Sequence, residues 1–181
     1  RGAHAGNAES LALIGALEKE RGIRRLGLGM GLQTGKTSDL GIDWDTINDA
    51  TGQIVRQGIG YKSGGLNLQY STQRIDTGFQ AFKSLREAEA GQWARERGVS
   101  RSNLSLGLAM GKGGALGFSQ NSIADRTGRV TSQAFDYSSG RFNMAMSQRS
   151  ADRGFARLND LSDADKTALA LDIRRQFNPK A

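Results

Sequence analysis

The residues most suggestive of chemistry are Thr34-Gly35-Lys36-Thr37, within Gly29 to Asp39, because Gly-Lys-Thr ends the phosphate-binding loop of many nucleotide hydrolases. That loop needs a Gly five residues before the Gly-Lys pair. Met30 stands there instead, with Gly29 and Gly31 on either side. A phosphate loop also needs a helix after it, so that free backbone N–H groups face the phosphates. Here Leu40-Gly41-Ile42-Asp43-Trp44-Asp45 follows, and its apolar/polar alternation is that of a strand.

Other groupings were weighed for chemistry. Asp39, Asp43, Asp45 and Asp49 could be offered to calcium, which takes several carboxylates at close quarters. The spacing lacks the Gly and terminal Glu of an EF-hand, and a solvated strand face explains it. Glu87 with Glu89, or Asp163 with Asp165, could form an acid–base pair, but acids in a first helical turn follow from the helix dipole alone. Tyr61, Tyr70 and Tyr137 among arginines could stack nucleic-acid bases, but aromatics make up 7% of the chain, too few to prefer stacking over strand packing. His4 is the one histidine and has no partner for a triad or an ordinary metal site. The chain has no cysteine, which removes disulfides, thiolate nucleophiles and thiolate metal ligands. The expectation is therefore a protein that is not an enzyme, with no catalytic residues, metal site or cofactor.

An internal repeat accounts for the glycines and the turn acids. Adding 76 to the residue number carries Gly31, Gly35, Lys36, Leu40, Gly41, Ile47, Asp49, Thr51, Gly52 and Tyr61 onto Gly107, Gly111, Lys112, Leu116, Gly117, Ile123, Asp125, Thr127, Gly128 and Tyr137. The match continues through Asn67, Asp76, Gly78 and Phe79 onto Asn143, Asp152, Gly154 and Phe155. The second copy has Gly113 where the first has Thr37, and Ala115, Ser119 and Asn121 where the first has Asp39, Asp43 and Asp45. Neither the hydroxyl of a phosphate loop nor the acid cluster belongs to the unit.

Each unit reads as four strands and one helix. The strands are expected at Leu26–Thr34, Asp39–Asn48, Gln53–Tyr61 and Gly65–Arg74, then at Asn103–Met110, Ala115–Ala124, Arg129–Tyr137 and Arg141–Arg149. Short turns between them imply antiparallel neighbours. Asp49-Ala50-Thr51-Gly52 and Asp125-Arg126-Thr127-Gly128 fit a type I turn. A helix should start at the capping box Ser84-Leu85-Arg86-Glu87 and stop at Gly98, as an earlier one stops at Gly22. Leu17, Trp93 and Leu169 share one position and read as helix anchors, while Ala12, Ala88 and Ala164 permit close approach.

The fold class expected is mainly β with α, in tandem 76-residue repeats, each a four-stranded antiparallel meander followed by one amphipathic helix. The division is a helical tail of a preceding repeat at 1–22, one unit at 23–98 and a second at 99–181, as in a segment of a longer array.

One strand face is apolar throughout: Leu28, Met30 and Leu32 alternate with glycines, and Leu66, Leu68 and Tyr70 with Asn67, Gln69 and Ser71. Two architectures satisfy this. Helices can cover the apolar face, with Trp93 packed on residues such as Leu66, Leu68, Leu104 or Leu106. Alternatively, the face can meet lipid in an outer-membrane barrel with Gly, Ser and Asn toward the lumen. The first is preferred because the helix anchor needs a partner. Its function would be that of a structural or assembly module of a large cell-envelope or extracellular protein, pairing with itself or with neighbouring repeats; the second makes it a section of a barrel. A third reading takes the net charge of +7 and pI near 10.1 as a basic array binding acidic polymer or nucleic acid. No small-molecule substrate is expected.

Overall fold

The protein is described by a computed structural model over residues 22–35, 37–85 and 90–155. Eight strands form one antiparallel sheet in sequence order: β1 (Arg24–Gly35), β2 (Ser38–Asn48), β3 (Gln53–Ser63), β4 (Leu66–Ile75), β5 (Ser100–Met110), β6 (Gly114–Ala124), β7 (Arg129–Ser139) and β8 (Phe142–Ala151). Every strand expected from the alternation is present, within three residues at each end. The connections explain why each strand pairs with the next. Gly64 (φ +54°) and Gly140 (φ +59°) close two hairpins in a conformation that L side chains rarely adopt. The Asp49–Gly52 turn carries a bond from Asp49 N–H to the Gly52 carbonyl at 3.0 Å, and the Asp125–Gly128 turn repeats it at 3.0 Å.

The register puts like residues in rows across the sheet. One row runs Leu32, Leu40, Tyr61, Leu68, Leu106, Phe118, Phe135, Met146, all apolar. The adjoining row, on the opposite face, runs Gly31, Gly41, Gly60, Gln69, Ser105, Ser119, Ala134, Ser147. Strict alternation of side chains thus gives one apolar and one small or polar face.

Among the described residues the helical content is smaller than the sequence suggested. Ala81–Ser84 is a 3-10 turn, and Ser84 ends it instead of opening a capping box, since Leu85 is already extended (φ −77°, ψ 148°). Among the described residues the helix α1 spans Ala90–Arg95. Gly98 has φ +79°, as its role as a stop requires, and its N–H donates to the Ile75 carbonyl at 2.8 Å. The helices expected around Leu17 and Leu169, with Ala12, Ala88 and Ala164, fall outside the described residues, as does the stretch from Arg86 to Glu89.

A second correction concerns where the helix sits. Trp93 is buried, 4% exposed, but it packs with Ile47, Ile54, Ile75, Phe79 and Phe82 and not with Leu66, Leu68, Leu104 or Leu106. Those isoleucines lie at strand ends and point to the polar face. A smaller cluster of Val99, Ile123, Val130 and Phe155 occupies the matching place in β6 and β7. Among the described residues the core is therefore a strip along one end of the sheet, and none of them covers the apolar face.

Candidate functional site

Two surfaces carry the features that could support function. On the polar side, β2 to β5 hold a row of charges beneath the helical segment. Asp45 pairs with Arg56, whose guanidinium carbon lies 5.0 Å from the Trp93 ring centroid. Two strands further along the row, past Gln73, Arg101 reaches the buried Glu96 through a hydrogen bond of 2.9 Å and an ion-pair contact of 2.6 Å. The Arg101–Glu96 pair and the Arg56–Trp93 contact fasten the segment to the sheet. An ion pair of this kind loses its compensation when one partner is removed. Beyond them lies a groove of about 440 Å³ bounded by Asp43, Arg56, Ser71, Arg101 and Asn103.

Asp49 is an extensively bonded acid. One carboxylate oxygen accepts from Thr51 N–H at 2.7 Å, the Thr51 hydroxyl at 2.8 Å and Gly52 N–H at 2.8 Å. The other accepts from Gln80 N–H at 2.7 Å and Ala81 N–H at 3.0 Å. Burial pushes its pKa up, but the bonds from Gln80, Thr51 and Ala81 prevail and bring it from 3.8 to about 2. The carboxylate thus ties the β2–β3 turn to the chain leaving β4.

The residues singled out for chemistry are not brought together. Asp39 faces Lys62 across the ladder, Asp45 is held by Arg56 and Asp49 is consumed by its turn. No group of three or more potential metal ligands occurs among the described residues. Thr37 lies in a hairpin between two strands, where its carbonyl accepts from Gly64 N–H at 3.4 Å, so no helix follows the Gly-Lys motif. Lys36, His4, Glu87, Glu89, Asp163 and Asp165 lie outside the described residues. Tyr61, Tyr70 and Tyr137 all sit on the apolar face, away from the row of arginines.

That apolar face is the second surface. Among the described residues, Leu26, Leu28, Met30, Leu32, Trp44, Ile59, Tyr70, Leu108, Phe142, Met144 and Met146 are the exposed large hydrophobics, from 38% to 65% accessible, and the register places all eleven on this one side. A continuous apolar surface of this kind marks contact with another apolar phase or partner. The band moves along the strands as it crosses the sheet. It covers Leu26 to Leu32 in β1 but Phe142 to Met146 in β8, and Met146 shares the row of Leu32. The row of Leu28 and Trp44 has become Gln57, Thr72, Ser102, Ser122, Thr131 and Ser150 by the far edge. At about 3.3 Å per residue and 4.8 Å per strand, this drift of roughly five residues is a slope of roughly 25°. The band is roughly 20 Å tall along β1 and roughly 13 Å along β8.

The sequence held a signal for the helix seat that the alternation argument passed over. Ile47 is out of step with Leu40, Ile42 and Trp44, and Ile75 with Leu66, Leu68 and Tyr70. A change of parity at the strand end moves one large apolar residue to the other face.

Comparison with models of protein families, with curated proteins and with solved structures finds no match to the chain. No described helix is long and apolar enough to cross a membrane, a criterion that does not bear on strands.

Proposed function

We propose that the chain is a non-catalytic section of the wall of a large outer-membrane-type β-barrel, with its apolar face in lipid and its polar face toward the lumen. The observation that carries this reading is the placement of all eleven exposed large hydrophobics on one face, with the helical segment seated on the other. The alternative of a water-exposed sheet covered by its own helices loses its main argument, because Trp93 finds its partners on the polar side. Further support comes from the all-neighbour antiparallel order, from strands of 10 to 12 residues and from the glycine and serine character of the inner rows. The slope is shallower than the 35–45° of bacterial barrels, and the band is lower than their roughly 25 Å. The reading accommodates this with a thin or locally thinned bilayer.

The wall is built, on this reading, from 76-residue units of four strands and a helical linker. In favour, the bounds of β2, β3 and β4 recur in β6, β7 and β8 at an offset of 76 residues. Thr127 N–H donates to Asp125 at 2.7 Å as Thr51 N–H does to Asp49, and Ile47, Ile54 and Phe79 have counterparts in Ile123, Val130 and Phe155. Placement in the cell envelope follows from the barrel reading.

The two tryptophans allow a direct test, since Trp44 is 47% exposed on the apolar face and Trp93 is buried on the other. The single-tryptophan variants Trp93→Phe and Trp44→Phe are reconstituted into vesicles containing phospholipid brominated on its acyl chains. Quenching of Trp44 but not of Trp93 is the expected result. Failure of the acyl bromines to quench Trp44 would overturn the lipid-facing assignment.

A further inference from the structure

Among the described residues β1 pairs only with β2 and β8 only with β7, so the sheet has two open edges. An open edge has no place in hydrocarbon, where each unpaired N–H and C=O is costly. We infer that the β8 edge of one copy pairs antiparallel with the β1 edge of a second copy, setting Phe142 opposite Leu32, Met144 opposite Met30 and Met146 opposite Leu28.

The register comes from a junction already inside the molecule. Where the first four strands meet the second four, Leu66 faces Leu108, Leu68 faces Leu106 and Tyr70 faces Leu104. Moving the β4 residues forward by 76 gives Phe142, Met144 and Met146, and moving the β5 residues back by 76 gives Leu32, Met30 and Leu28. The inference therefore rests on the 76-residue unit of the proposed function. A separate observation agrees with it. Pairing Met146 with Leu28 places the Phe142–Met146 band of β8 alongside the Leu26–Leu32 band of β1, so that the drift of the apolar band across the sheet runs on into the next copy. On the inner face the register sets Asn143, Ala145 and Ser147 against Gly31, Gly29 and Gly27, none of which is bulky.

Neither edge strand contains proline, and their cations lie only toward one end, at Arg24, Arg25 and Arg149. Arg149 would face Arg25, each engaged within its own chain, and this is the one unfavourable pair.

The chain's lack of cysteine makes the register directly measurable. Residues directly opposite in an antiparallel pair have Cα atoms about 4.5–5.5 Å apart, within disulfide reach, whereas diagonal neighbours about 7–8 Å apart are not. The full-length Met30→Cys and Met144→Cys chains, mixed in phospholipid vesicles and oxidised, should give a disulfide-linked dimer at least tenfold more abundant than Met30→Cys mixed with Met146→Cys. Leu32→Cys with Phe142→Cys supplies a second in-register pair should either methionine variant fold poorly. Equal yields for in-register and shifted pairs, or dimers in the shifted pair alone, overturn the register and with it the 76-residue equivalence. No dimer from any pair overturns the edge pairing itself. Lipid quenching of Trp44 is read separately, so loss of the barrel reading and loss of this inference give different results.

Discussion

Replacing Asp49 by Asn keeps the shape of the side chain but removes the charge on which five hydrogen bonds converge. The carboxyl pKa is lowered from 3.8 to about 2, and at about 1.4 kcal/mol per unit this shift has an upper value of roughly 2.5 kcal/mol. Asp49 is only partly buried, so solvent screening reduces the figure to about 1–1.5 kcal/mol. Because the folded pKa lies below the unfolded one, this stability is fully present above pH 3.8 and is lost as pH falls through about 2. The assay is denaturant unfolding of wild-type and Asp49→Asn chains in a Trp44→Phe background, followed by Trp93 fluorescence between pH 6 and pH 2. Other carboxylates titrate in both chains and cancel in the difference. The variant should be less stable by about 1–1.5 kcal/mol at pH 6, and the gap should close toward pH 2. A gap that stays constant over the whole range would show that the charge of Asp49 does not hold the turn to Gln80 and Ala81.

Trp93→Ala should cost about 3–5 kcal/mol, because it empties the centre of the cluster formed by Ile47, Ile54, Ile75 and Phe79. A loss below about 1 kcal/mol in the same unfolding assay would contradict the buried seat. Gly78→Ala drives a Cβ into the backbone carbonyl oxygen of Thr51 and should destabilise by about 1–3 kcal/mol or more. Gly60→Ala meets nothing within 4 Å on the polar face and should be neutral or gain a few tenths of a kcal/mol. Equal effects at the two glycines, measured as shifts in the denaturation midpoint, would refute the close approach of the two turns at Gly78.

The sequence by itself determined the strands, their turns and the existence of one apolar and one polar face. Those features are local: alternation along Leu26–Leu32 or Leu66–Tyr70 sets side-chain direction within a single strand, Asp49 shapes its turn through Thr51 and Gly52, and Gly64 acts within its own hairpin. That a strand and not a helix follows Gly35-Lys36 was legible for the same reason, from the alternation along Leu40–Asp45. Only the tertiary structure decided which face the helical segment covers. Ile47, Ile54 and the Ile75–Phe79 stretch come from three separate places in the chain, and their convergence depends on the register of β2, β3 and β4 and on Asp49 binding Gln80 and Ala81 across the turn. The row of Asp45, Arg56, Gln73 and Arg101 is likewise invisible along the chain, because its members are aligned only through cross-strand pairing. Periodicity states that a sheet has two faces; which of them is buried depends on the few side chains at the strand ends that reach the returning chain.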